Sequence, residues 1–180
     1  MAGKRRRITI INSQLNDPDE YKQNSCSANA KQIELFSETV DIELWIDKHY
    51  SVRNQFGDDD GPREGIGEEY TKSLIKKSFR HLMYYSSKHK DFLFVNHPPK
   101  KNRNIRIVLI DKFSNATPLN VVAEYHFVKL NIYEVTIKTA MRKDEFDLSD
   151  GQYAIAFEED YSILYKDQKR DTIRIDDYSE

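Results

Sequence analysis

From Val40 to Ile46 the apolar residues Val40, Ile42, Leu44 and Ile46 alternate with Asp41, Glu43 and Trp45. A repeat of two is that of a strand with one face buried. The same repeat returns in the second half of the chain. Ile105, Ile107 and Leu109 mark a strand over 104–111. Leu119, Val121, Ala123, Tyr125 and Phe127 mark another, with Asn120, Glu124 and His126 between them. Tyr133, Val135 and Ile137 point inward from a strand over 132–139, which closes on Thr139 at its end, also on the inward face. The short connection between Phe127 and Ile132 predicts that these last two strands form an antiparallel hairpin. Further short strands are expected over 7–11, 91–96, 153–157 and 161–165, with 172–175 as a last edge.

Two stretches read as helix. Ile66, Tyr70, Leu74, Phe79, Leu82 and Met83 form one stripe, with Glu68 and Glu69 in the first turn where the helix dipole favours negative charge. The opposite side carries Lys72, Lys76, Lys77 and Arg80, which makes the helix basic and amphipathic. A shorter helix is expected over 28–36 on the contacts of Ile33, Leu35 and Phe36. Between strand and main helix, the run from Gln55 to Pro62 is rich in turn formers and reads as a surface loop. The pattern predicts an α+β fold: an antiparallel twisted sheet of about 4–6 strands packed against one main amphipathic helix (about 66–85), with a short N-terminal helix. Residues 1–27 read as a flexible N-terminal arm with a short strand, 28–166 as a single domain, and 167–180 as an acidic tail.

Composition narrows the class. With 180 residues, 38% hydrophobic and 32% charged, the chain suits one domain of ordinary core size. No apolar run approaches the ~20 residues that span a bilayer, and the basic start Lys4-Arg5-Arg6-Arg7 precedes too short an apolar stretch for a leader, so a cytoplasmic protein without membrane contact is expected. The lone Cys26 lies in a polar stretch, excludes an intrachain disulfide, and reads as incidental. A net charge of −2 gives no global attraction to nucleic acid. A local basic surface is drawn from Lys76, Lys77, Arg80, Lys100, Lys101, Arg103 and Arg106, the candidate RNA-binding set.

Most catalytic motifs are missing. The sequence has no Gly-rich phosphate loop opening a helix, no paired-histidine helix and no Gly-x-Ser-x-Gly elbow, which argues against the usual nucleotide hydrolases, zincins and serine hydrolases. The histidines lie at no ligand spacing with Cys26 or with each other, so neither metal nor cofactor is expected. His81 and His89 read as surface residues, and His126 as facing outward beside Glu134 across the hairpin. What remains is His49 with Arg53. On one side of a helix or turn, imidazole beside guanidinium suits phosphoryl chemistry, proton transfer by one and neutralisation of phosphate oxygens by the other. The plain alternative is a polar strand exit.

These residues sit in a wider pattern. Trp45-Ile46-Asp47-Lys48-His49-Tyr50-Ser51-Val52-Arg53, followed by Pro62-Arg63-Glu64-Gly65-Ile66-Gly67-Glu68-Glu69 opening a helix, resembles the His-x3-Arg and acidic helix-start pattern of RelE-like toxin nucleases. These belong to the barnase, EndoU, colicin and RelE superfamily of small metal-independent ribonucleases, found in toxin–antitoxin modules and phages. The strands at 104–110, 121–125 and 133–140 resemble the central meander of that group with its closing Thr. The resemblance spans about residues 40–152. It implies His49 as general acid or base, Arg53 and Arg63 as phosphate-binding cations and Thr139 as an orienting hydroxyl. RNA would be the substrate and an inhibitor or antitoxin protein the partner. The sequence departs from the pattern in its long basic loop at 88–104, in the acidic Asp58-Asp59-Asp60 beside the site, and in the tail beyond Gln152. Two other classes stay open: a non-catalytic interaction protein of immunity, antitoxin or phage accessory type, and a sequence-tolerant nucleic-acid binder using 72–106.

Overall fold

The computed structural model describes residues 21–37, 40–56, 66–98, 104–112 and 117–179. Among them run β1 (Ala30–Ser37), β2 (Asp41–Asp47), α1 (Lys48–Phe56), α2 (Glu68–Lys88), β3 (Val95–Asn96), β4 (Ile107–Asp111), β5 (Leu119–Lys129), β6 (Ile132–Arg142), β7 (Tyr153–Phe157), β8 (Tyr161–Gln168) and β9 (Asp171–Ser179).

All nine strands join one sheet in the order β1-β2-β6-β5-β4-β7-β8-β9, with β3 beside β5. Three pairings are parallel: β2 with β6, β4 with β7, and β3 with β5. The expected antiparallel sheet of four to six strands with one main helix is therefore corrected to a nine-stranded mixed sheet with two helices among the described residues. The reason is physical. Alternation marks a strand but carries no information about its neighbour, and β2 reaches β6 only after the intervening helices. The expected helix over 28–36 is also corrected, since Ala30–Ser37 pairs antiparallel with β2. A hairpin partner supplies backbone hydrogen bonds that a short isolated helix lacks. The strand expected at 7–11 lies outside the described residues.

Alternation does set the faces. Ile42, Leu44 and Ile46 of β2, Val121, Ala123 and Tyr125 of β5, and Val135 and Ile137 of β6 are buried on one face. Against it α2 packs Leu74, Ile75, Leu82 and Tyr85, and Phe92 and Phe94 fill the end of the same core. The buried stripe of α2 runs through Thr71, Ser78 and His81, whereas Tyr70 and Met83, expected on it, are exposed. Small polar side chains are accommodated there because each has a partner. Ser78 Oγ meets Tyr125 OH at 3.1 Å, and His81 Nδ1 meets Ser162 Oγ at 2.9 Å. His81, expected on the surface, is buried between the rings of Phe157 and Tyr178, with centroids at 5.1 and 5.0 Å.

The turn after β5 places Asn131 at φ 62°, a left-handed conformation that asparagine tolerates. From 171 to 179 the chain forms the edge strand β9, held to α2 by Asp176, which accepts from Lys88 Nζ and pairs with His89 Nε2 at 2.7 Å. The second face of the sheet is more polar. It carries a small apolar cluster of Val108, Val122 and Ala154 and, beside it, the groups described next.

Candidate functional site

The junction between β2 and α1 is built by one side chain. Asp47 ends the strand, and its Oδ1 accepts the His49 N–H at 2.9 Å, the bond of a helix N-cap. Its Oδ2 accepts from Lys138 Nζ of β6 at 2.6 Å. Both groups of that ion pair are largely buried. Burial works against the Lys138 charge, but the Asp47 carboxylate outweighs it and raises the ammonium above its ordinary value. His49 is thereby fixed in the first turn of α1 with its side chain exposed, and Arg53 follows one turn later on the same side. Thr139 stands next to Lys138 on β6, which α1 contacts.

Thr139 faces the other way from expectation. A bulge at Lys138 interrupts the pairing with β5, so Ile137 opposes Ala123 but Thr139 opposes Val122, on the face away from α2. One inserted residue is enough to reverse the alternation, and the sequence bears no mark of it. The Thr139 hydroxyl is buried there without a hydrogen-bond partner.

A second cluster was missed entirely at the level of sequence. Residues 22–30 form a loop closed by two backbone bonds between Lys22 and Ala30, and Asn24 Oδ1 accepts the N–H groups of Cys26 and Ser27. The tip lies on the polar face of the sheet. Asn24 Nδ2 donates to Thr136 Oγ1 at 2.7 Å, and the Ser25 N–H donates to Glu134 Oε1 at 2.9 Å. Cys26 Sγ donates to Glu124 Oε2, also at 2.9 Å. Glu124 and His126 sit two apart on β5 and so share a face. His126 Nε2 lies 3.3 Å from Glu124 Oε2, Asn104 Nδ2 donates to the same oxygen at 2.9 Å, and Arg106 Nε donates to Oε1 at 2.7 Å. His126 does oppose Glu134 across the hairpin, but it is buried beneath the loop rather than turned to solvent.

This environment sets protonation. Burial would raise the Glu124 carboxyl, but hydrogen bonds from His126, Cys26, Arg106 and Asn104 outweigh it and hold the group at about 2. Burial and then the Glu124 carboxylate push the Cys26 thiol up to about 12, so at neutral pH it is a thiol and a weak nucleophile. Burial also raises Glu134, against the bond from Ser25. Cys26, expected to be incidental, is at the centre of the cluster. Only contact between segments about a hundred residues apart could reveal it, with separations of 98 between Cys26 and Glu124 and 112 between Asn24 and Thr136.

The expected RNA-binding set is divided. Lys76, Lys77 and Arg80 are exposed on α2, with Lys77 Nζ 5.2 Å from the centre of the Phe157 ring, on the side of the sheet that α2 covers. Arg106 lies on the opposite face, paired with Glu124. Arg63, Lys100, Lys101 and Arg103 lie outside the described residues. Among the described residues, no helix is long and apolar enough to cross a membrane.

The class that the fold defines is a mixed-sheet α/β protein with a polar cluster on the sheet face opposite its long helix. Compared with known proteins, the chain matches no family model, no curated protein and no solved structure.

Proposed function

We propose that the chain is a metal-independent endoribonuclease of the toxin type, working at the β2–α1 junction with His49 as general acid–base and Arg53 as the phosphate-binding cation. The observation that supports this most is the bonding of that corner. Asp47 ends the strand, caps the helix through His49 and holds Lys138, so an exposed imidazole stands one helical turn from a guanidinium on a fixed frame. Positioned proton transfer and fixed cations are what metal-free cleavage of a phosphodiester requires. In the reaction, His49 takes the proton of the ribose 2′-hydroxyl as that oxygen attacks the adjacent phosphorus. The bond to the 5′-oxygen breaks, and that oxygen is protonated from the imidazolium, leaving a cyclic phosphate and a 5′-hydroxyl. Arg53 neutralises the phosphate oxygens as charge builds on them.

The test is incubation of purified protein with labelled RNA in the presence of chelator. Cleavage with cyclic phosphate ends is expected. His49→Ala should lower the rate by about 10²- to 10⁴-fold and Arg53→Ala by about 10²- to 10³-fold, both without loss of folded protein. Equal cleavage by His49→Ala would remove the assignment.

A second reading, a non-catalytic module that binds another protein, draws support from β9. This edge strand exposes Ile173 and Ile175, with Arg174 between them paired to Asp177, an apolar edge suited to strand addition by an extended segment of a partner. RNA left intact by folded protein would favour it.

A further inference from the structure

We propose that Cys26, Glu124 and His126 form a binding site for one zinc-class divalent ion that pins the 22–30 loop onto the sheet. The ligand atoms of the three residues all lie within 4.8 Å of one another. A tetrahedral zinc ion bound at its usual lengths separates its ligands by roughly 3.3–3.8 Å, so small rotations of the side chains suffice. Thiolate, imidazole and carboxylate together are the mixed soft and borderline set that favours zinc over magnesium or calcium, with water in the fourth place.

The arrangement around the three residues is that of a built site. Glu124 and His126 are nearly inaccessible, and the loop that carries Cys26 is held independently by the Lys22–Ala30 bonds and the Asn24 turn. Three donors, from Cys26, Asn104 and His126, converge on the single oxygen Oε2 of Glu124, which has two lone pairs. An ion at that point takes the place of the thiol and imidazole contacts and meets all three ligands at once. Arg106 on Oε1 then fixes the carboxylate from behind, and Glu134 is the cross-strand neighbour of His126. On binding, the Cys26 proton passes to water, and the thiolate and carboxylate together balance the two charges of the ion. The site uses none of the residues assigned to RNA cleavage and stands or falls separately from that reading.

Cobalt(II) is the probe, added to the full-length protein after treatment with chelator. Cys26 is the chain's only cysteine, so a thiolate-to-cobalt charge-transfer band reports this site alone. The expected result is that band, with the visible absorption of tetrahedral cobalt, saturating at one ion per chain and displaced by zinc. It should vanish in Cys26→Ser and weaken in His126→Gln. Asn104→Ala, which leaves all three ligands, should weaken zinc binding by about 10- to 100-fold. Folded wild-type protein without the band, or a band saturating at one ion per two chains, would overturn the proposal without reference to any variant.

Discussion

At the scale of single residues, Asp47 does more than any sequence pattern assigns to it. It caps α1 through one oxygen and neutralises Lys138 through the other. Removing one partner of a buried ion pair leaves the other uncompensated, a loss that exceeds the net value of the pair. Lys138→Met is therefore expected to destabilise the protein by about 3 kcal/mol in urea unfolding. Adding Asp47→Asn should recover part of that loss, because the amide keeps an oxygen for the cap. A Lys138→Met change below ~1 kcal/mol would mean that Asp47 is solvated in practice. His49 and Arg53 were legible as residues because they lie four apart, and position on a helix follows from spacing. Thr139 was legible as a strand residue but not in its direction, because the bulge at Lys138 leaves no trace in composition.

At the scale of elements, the turn from β8 to β9 departs from its usual chemistry. Lys169 and Arg170 both adopt positive φ, 55° and 77°, where asparagine and glycine are the common choices. The Lys169 N–H is held by Asp150 Oδ1 at 2.9 Å, which helps to keep the turn in place. Left-handed backbone at a residue with a Cβ costs roughly 1–3 kcal/mol. Arg170→Gly is accordingly expected to raise the unfolding free energy by about 1 kcal/mol, and an unchanged or lower denaturation midpoint would show that the turn is not strained. The hairpin β5–β6 was readable because its short connection and two alternating strands are local. The stretch expected as a helix over 28–36 is instead strand β1 over 30–37 for the complementary reason: its hydrogen-bond partner, β2, decides strand over helix.

At the scale of the whole molecule, β9 at one edge of the sheet is joined to α2 by Asp176 with Lys88 and His89. Burial opposes the Asp176 charge, but the bonds from Lys88 and His89 outweigh it and hold the carboxyl below its ordinary 3.8. A depressed carboxyl stabilises the fold above its unfolded value and loses that contribution as pH falls through the folded one. Hydrogen exchange of the β9 amides should therefore quicken relative to the β5–β6 core as the pH drops below about 3.8. Asp176→Asn should show the faster exchange already at neutral pH and no further change on acidification, whereas identical profiles for the two proteins would place the anchoring of β9 elsewhere, in the stacking of Tyr178 on Tyr84.

The sequence by itself determined what depends on near neighbours: the alternation of β2, β5 and β6, the helical stripe around Leu74 and Leu82, the hairpin at Asn131, and the His49–Arg53 pair. Tertiary structure alone decided the parallel neighbours of β2 and β4, the face of Thr139, the burial of His81, and the meeting of Cys26 with Glu124 and His126. Periodicity is a property of a segment and survives in any context, whereas pairing, register and the protonation of buried groups are differences in free energy between whole arrangements of the chain. No local window contains the partners that set them.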